Sequence, residues 1–335
     1  MSITTKKIIR KPAKRHSASI CFQKISEQWL SEIAITMKPS TYTRYRNLLT
    51  NYILPYLAEY KLTEIDYTVL TGLRFRLLTA GGKTGNGLSA KTVSDTLSLI
   101  RTILKYAAQL KYPIDITAYD VSVKVTVSRP PVLSRQNEQR LLSYLIADPS
   151  YKNIGILTCL FTGIRIGELC ALTRADIGFD TNTLHIHQTM QRVQIPNSKK
   201  KTQVIITTPK STCSIRDIPI PQFLLDFLPC DIAPDAFLLT GCSTHYIEPR
   251  SMENHFRRVL YNCEIPYVNF HVLRHTFATR CIELGFDLKS LSEILGHANV
   301  NITLNRYVHP SADLKQENMT RLSQLFVKSL GKNIS

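Results

Sequence analysis

The stretch from Val121 to Leu133 constrains this chain more than any other feature. Its residues are largely β-branched, Arg129-Pro130-Pro131 stands near its end, and no apolar repeat of helical period runs through it. Proline supplies no backbone donor and drives the residue before it out of the helical region, so the segment reads as an extended linker. The chain on each side must then bury its own apolar residues, and 335 residues leave enough length for two cores. The expected division is a flexible basic arm over 1–20, a helical domain over 21–118 and a linker over 119–133. A second domain over 134–310 and a C-terminal segment over 311–335 follow.

Before the linker the pattern is helical. Phe22, Ile25, Trp29 and Ile33 recur at three- and four-residue spacing. A second helix is expected to start at Ser40, a natural N-cap, and to carry Leu48, Leu49, Tyr52 and Ile53 until Pro55 bends or ends it. After the glycine-rich turn from Gly81 to Gly87, Ser89 is placed to cap a helix whose stripe is Val93, Leu97, Ile100, Leu104 and Ala107. Arg44, Arg46, Lys91 and Arg101 lie off these stripes. A solvated face explains any one of them, whereas together they suit a helical domain lying on phosphates.

After the linker, Ser134 is placed to cap a helix that buries Leu141, Leu142 and Leu145. The period then changes from helix to strand. Thr183 to His187, Gln203 to Thr208 and Ser214 to Ile220 read as strands, with the polar tip of Lys199, Lys200 and Lys201 between the first two. From Gln222 onward the pattern is helical again. The fold class expected is mainly α with a small antiparallel β-sheet.

Charge narrows the function. Forty-two Lys and Arg against 25 Asp and Glu leave a net charge of +17. Such an excess draws polyanions, because neutralising phosphates releases condensed counterions. The first 20 residues hold Lys6, Lys7, Arg10, Lys11, Lys14 and Arg15 with no acid, which suits a solubilising tail or an arm that touches DNA. No apolar stretch reaches the roughly 18 residues of a membrane span, and no signal-peptide core follows the basic start. No membrane partner and a cytoplasmic setting are expected. Eight cysteines, none in a C-x-x-C pair, read as reduced thiols.

Four places could carry chemistry. In Thr162-Gly163-Ile164-Arg165-Ile166-Gly167-Glu168, two glycines bracket an arginine at a turn between helices, with Glu168 available to orient it. Taken alone, a structural ion pair explains that arginine better than an anion site. In His271-Val272-Leu273-Arg274-His275, positions i and i+3 share a helix face, so His271 and Arg274 can address one anion. A salt-bridged helix would look the same. Leu295-Gly296-His297 places a histidine just past a helix end, and Tyr307 follows ten residues later. A lone tyrosine there is more often core than nucleophile. Thr208-Pro209-Lys210-Ser211, followed by Arg216-Asp217-Ile218-Pro219, falls on the strands.

In combination and order, Arg165, Lys210, His271, Arg274, His297 and Tyr307 resemble the catalytic set of the tyrosine recombinases, in the branch of phage and conjugative-transposon integrases. The resemblance covers essentially the whole chain. It implies a helical SAM-like core-binding domain followed by an α+β catalytic domain. It further implies that Tyr307 attacks the scissile phosphate to give a 3′-phosphotyrosyl bond, and that Arg165, Arg274 and His297 donate to the phosphate oxygens. His271 is then expected to take the tyrosine's proton and Lys210 to protonate the leaving oxygen, with Glu168 and His275 in support. No cofactor and no metal are expected, since Asp176, Glu248 and Glu283 share no helical setting.

The implied partner is double-stranded DNA at specific recombination sites, bound by a homotetramer, with an excisionase or host DNA-bending protein as candidate accessories. Arg44, Arg46, Lys91, Arg101, Lys199, Lys200, Lys201 and Arg216 are the candidate DNA contacts. The apolar residues from Leu314 to Leu330 form an amphipathic pattern that suits docking on a neighbouring subunit or packing on the same domain. Two other functions fit parts of this pattern. One is a Xer-like resolvase of chromosome dimers, disfavoured by the basic arm and the long polar hairpin. The other is a DNA-binding regulator, which has no need of a complete catalytic set. A type IB topoisomerase shares the chemistry but works as a monomer.

Overall fold

The computed structural model describes residues 20–82, 84–126, 130–194, 202–209 and 212–307, with scattered helical residues between 316 and 326. The basic arm, Lys199, Lys200, Lys201 and Lys210, and most of the C-terminal segment lie outside the described residues. The chain divides into two compact units, residues 1–127 with 193–203, and residues 128–192 with 204–335.

In the first unit, α1 (Phe22–Thr36), α2 (Pro39–Leu48), α3 (Leu54–Leu57), α4 (Tyr67–Ala80) and α5 (Ala90–Gln109) surround one core. The apolar stripe of α5 is buried along its length, from Val93 through Leu97, Ile100 and Leu104 to Ala107. Ser89 caps it, its hydroxyl accepting from Thr92 N at 3.2 Å. The second helix begins two residues earlier than its N-cap signal at Ser40 suggests, with Lys38 as N-cap and Pro39 in the first turn, where a missing donor costs nothing. Pro55 neither ends nor sharply stops that helix. The ladder widens to a π-helical segment over Leu49–Ile53 and resumes as α3, which absorbs the donor that proline lacks.

In the second unit, α6 (Arg135–Ala147), α7 (Tyr151–Thr162) and α8 (Ile166–Ala171) come first. The strands follow along the chain as β1 (Ile177–Gly178), β2 (Thr183–Ile186), β3 (Thr189–Gln194), β4 (Thr202–Thr207) and β5 (Arg216–Pro219), with Val193 and Gln194 of β3 and Thr202 and Gln203 of β4 counted in the first unit. The chain then forms α9 (Gln222–Leu225), α10 (Pro249–Asn262), α11 (Val272–Glu283), α12 (Leu288–Leu295) and α13 (Val300–Tyr307). Apolar on nearly every side, α7 is the central rod, packed by α6, α8, α10 and α11.

The strands make two sheets rather than one. Order β1-β2-β5 is antiparallel, with Leu184 opposite Ile218 and His185 opposite Asp217. A further strand, β3, pairs with β4 in a separate ribbon. The lysine tip therefore joins β3 to β4 and does not follow the strand at Thr183. Leu184, Ile186 and Ile218 face the core, while His185 and Asp217 face out and bond to each other at 2.6 Å.

Candidate active site

Two left-handed glycines set the frame. Gly163 ends α7 at φ +66°, and a Cβ there would stand 2.5 Å from Phe277. Gly296 ends α12 at φ +63°, pressed against the Arg216 guanidinium, which a Cβ would meet at 3.0 Å. A side chain at either position would strain the left-handed backbone and crowd that neighbour, which is why glycine stands there. Arg165 follows the first turn and His297 the second, so both side chains leave helix ends and converge.

Arg165 stands at the N-cap of α8, and Glu168 lies one turn on. Glu168 accepts from the Arg165 backbone N at 2.9 Å and from its Nη1 at 2.7 Å. Arg165 Nη2 donates to Gly296 O at 3.3 Å, and the side chain remains 37% exposed. Glu168 itself is buried. Burial works against its charge, but Arg216 and then Arg165 more than compensate and hold its carboxyl below the usual range.

Arg274, in the first turn of α11, is 2% exposed. Its Nη1 donates to Gly163 O at 2.8 Å and its Nη2 to Leu295 O at 2.6 Å and to His297 Nε2 at 2.9 Å. Of the five N–H groups of a guanidinium, these contacts take three, and the Tyr307 hydroxyl is a further hydrogen-bonding neighbour of the same side chain. Desolvation, followed by repulsion from Arg165, lowers its pKa to about 9, so it is still cationic at neutral pH.

His297 departs from the donor role expected of it. A guanidinium has no acceptor, so Nε2 accepts from Arg274, and the remaining Nδ1–H faces Thr303 Oγ1 at 2.8 Å. No N–H is then left for an incoming anion. Burial and the Arg274 charge push its pKa down to about 3.

The Tyr307 hydroxyl lies 2.8 Å from His275 Nδ1. His275, expected only in support, is thus the hydrogen-bonded neighbour of the tyrosine, and His271 is not. His271 instead stands at the N-cap of α11, with its ring edge-on to His275 at 4.6 Å. Burial, then the neighbouring charges, lowers His271 to about 4 and His275 to about 3. Tyr307 is 7% exposed in a cluster with Ala278, Cys281, Leu291 and Leu295. Burial raises its phenol, and the Arg274 and Arg306 charges pull it back. Neutral histidines, flanked by guanidiniums and a single carboxylate, make a site that is short of negative charge.

The candidate DNA contacts fare differently. Arg216 is a correction: its side chain is 6% exposed and pairs with Glu168 at 3.0 Å. It also donates to Ile294 O at 2.5 Å and Ser214 O at 2.9 Å, so every direction it points is inward. Arg44 and Lys91 meet at one carboxylate, Asp95, at 2.7 and 2.9 Å, and both remain more than half exposed. Arg101 folds back on its own helix toward Leu97 O at 3.4 Å. Arg46 is half-buried on α2. Thr303, which fixes His297, gave no signal in the sequence.

Among the described residues no helix is long and apolar enough to cross a membrane, and all eight cysteines are free thiols. No group of three or more His, Cys, Asp or Glu among those residues is placed to hold a metal ion.

Comparison with known proteins accords with this geometry. The model of the N-terminal SAM-like domain of phage integrases matches residues 21–75. The tyrosine recombinase XerC-like protein of Caldanaerobacter subterraneus subsp. tengcongensis is 25% identical over 93% of this chain and 86% of its own length. The transposase from transposon Tn916 of Enterococcus faecalis is 29% identical over 71% of this chain, which spans 63% of that protein. In fold, the chain resembles the Tn1549 transposon integrase solved with a circular intermediate DNA. The TM-score is 0.75 at 21% identity, over 91% of this chain and all of that one. The phage integrase family model matches residues 131–313, more than half of the chain and every site residue from Arg165 to Tyr307, and the chain belongs to that family, the tyrosine recombinases.

Proposed function

We propose that this protein is a site-specific recombinase that moves a mobile element by cleaving and rejoining double-stranded DNA through Tyr307. The observation that carries the proposal is the Tyr307 hydroxyl bonded to a neutral imidazole, His275 Nδ1, at 2.8 Å beside two guanidiniums. A phenol of ordinary pKa about 10 is a poor nucleophile near neutrality and needs a base in contact and cations to stabilise the oxyanion.

In this mechanism the phenol proton passes to His275 as Tyr307 Oη attacks phosphorus, forming the 3′-phosphotyrosyl ester and breaking the bond to the 5′-oxygen. Arg165 and the N–H groups of Arg274 not taken by Gly163, Leu295 and His297 bind the non-bridging oxygens, whose charge grows in the transition state. His297 holds Arg274 in place. Lys210 is the proposed proton donor to the leaving 5′-oxygen. Because the ester conserves the energy of the phosphodiester, the reverse attack by a 5′-hydroxyl reseals the strand without a nucleotide cofactor. The buried tyrosine reaches a phosphate only if α13 shifts outward, so cleavage includes a movement of that helix.

Binding of DNA is assigned to the helical unit, with Arg44 and Lys91 as its exposed cations, and to the lysines at positions 199, 200 and 201. A homotetramer on paired sites, an excisionase or DNA-bending accessory, and a cytoplasmic location complete the proposal.

The test is a covalent one. Labelled DNA from both flanks of the gene, mixed with the protein in EDTA, is expected to give an adduct stable to SDS. The adduct should disappear in Tyr307→Phe and map to Tyr307. Binding without an adduct, even on nicked suicide substrates, would reduce the protein to a DNA-binding regulator.

A further inference from the structure

A cavity of about 620 Å³ opens in the second unit at the N-terminal end of α7. That helix is 12 residues long, so roughly 18 Å of rod separates the cavity from the Gly163 turn that leads to Arg165. The cavity therefore lies apart from the strand-transfer site, and its reading does not depend on the one above.

Its wall carries two cationic side chains, Lys152 and Arg258. Lys152, His245, His255 and Arg258 line it, and none of the lining residues is acidic. Elsewhere in this unit arginines find carboxylates, Arg165 and Arg216 at Glu168, Arg192 at Glu248, and Arg280 at Glu138. Lys152 and Arg258 have no such partner among the described residues. The nearby carboxylate of Asp148 is taken by Asn153 Nδ2 at 3.2 Å. Burial, then the Lys152 and Arg258 charges, depresses His255 to about 4. Asp148 opposes those two charges at His255 without outweighing them, and it pairs with neither cation, so the net field at the ring is positive.

The donors are arranged as well as charged. Asn153 Nδ2 is committed to Asp148 O at 2.8 Å, so its Oδ1 accepts from His255 Nε2 at 2.7 Å. That contact fixes the tautomer and leaves His255 Nδ1 open to take a proton. Ser150 at the N-cap makes no capping bond, so the first-turn N–H groups of α7 add their partial positive charge. Buried Leu239, Ile247 and Val259 and the half-open ring of Tyr151 give the wall an apolar part, with Thr240 and Asn262 as polar neighbours. Volumes of about 300–1,000 Å³ with an apolar wall and a few convergent polar groups are typical of small-molecule sites.

We infer that this cavity binds a phosphorylated small molecule of mononucleotide size. The phosphate lies among Lys152, Arg258 and His255, and the organic part covers the apolar wall. A DNA backbone offers the same phosphate chemistry, but a duplex is convex and leaves the apolar wall uncovered, which favours the small molecule.

The test is an NMR titration of the His255 ring in the full-length protein, assigned by its loss in His255→Gln. Adenosine monophosphate and inorganic phosphate are compared with chloride at equal ionic strength. An anion beside the ring is expected to raise its pKa by about one pH unit or more. Adenosine monophosphate should act at lower concentration than phosphate, and the response should vanish in Lys152→Gln/Arg258→Gln. These are surface substitutions that leave the packing intact. The same titration curve in all three salts, or an unchanged response in the double variant, overturns the proposal. So does adenosine monophosphate acting no better than phosphate, or a DNA duplex reproducing the shift without either.

Discussion

Arg274 is held on three sides and open on the fourth, and that asymmetry is what a transition-state donor needs. Its bonds to Gly163 O, Leu295 O and His297 fix the fork, so no reorganisation accompanies the arrival of charge. A lysine is a point charge on a flexible stem and cannot hold those acceptors and a phosphate together. Arg274→Lys is therefore expected to lower single-turnover cleavage by about 10²–10³-fold, with DNA affinity by gel shift nearly unchanged. Equal cleavage rates would remove Arg274 from the transition state. The base is tested by comparing two neighbours. His275→Gln is expected to reduce cleavage by about 10²-fold or more, and His271→Gln distinctly less, because of the two histidines it is His275 that bonds to the Tyr307 hydroxyl. A larger loss at His271 would return the proton transfer to it. With His275 depressed to about 3, the acid limb of kcat/KM should fall well below pH 6.5.

Between elements, the decisive tie is Arg216, which joins β5 to the end of α12 and to Glu168 on α8. Through Glu168 it steadies Arg165, and through Ile294 it steadies the turn that presents His297. Arg216→Met takes the side-chain donor from Ile294 O and leaves buried Glu168 with Arg165 as its one ion-pair partner among the described residues, and is expected to cost about 3 kcal/mol, read as a lowered urea midpoint. Cleavage should fall further than stability predicts, with Arg216→Lys intermediate. A variant as active as the parent at low temperature would make the tie purely structural. Strand alternation already held this answer. Ile218 faces the core, so Arg216 two residues earlier shares its face and Asp217 points out. The residues of the site were legible for the same kind of reason, since glycine turns and helix spacing place Arg165, Arg274 and His297 locally. What was not legible depends on packing across the chain. His275 rather than His271 meets Tyr307 because of how α13 lies on α11, whereas Thr303 meets His297 only because the short turn between α12 and α13 folds the chain back over six residues. The helix α4 carries a weak apolar stripe, with Leu70, Leu73 and Leu77 buried, and is stabilised by tertiary contact rather than pattern. The π-segment before Pro55 likewise answers to the core, which keeps Leu49 and Ile53 buried on either side of it.

At the scale of the molecule, a net charge of +17 and a set of suppressed histidines act together. His255, His271, His275 and His297 are depressed to about 4, 4, 3 and 3 in the folded protein. In the unfolded chain each titrates near 6.5. Between these values the unfolded chain binds more protons than the folded one, so stability is full above about pH 6.5 and is lost as pH falls. Each histidine contributes a slope of at most about 1.4 kcal/mol per pH unit, reduced by its partial exposure. Urea midpoints are therefore expected to drop steeply from pH 7 to pH 5, and His297→Gln should flatten part of that slope. Bound DNA supplies the negative charge that the site lacks, so it should raise the pKa values of the three site histidines and weaken the pH dependence. A midpoint that stays level from pH 7 to pH 5, or an acid sensitivity that DNA leaves untouched, would mean that these imidazoles are not held neutral by burial and the cations around them. The charge deficit argued for the site would then fail with them.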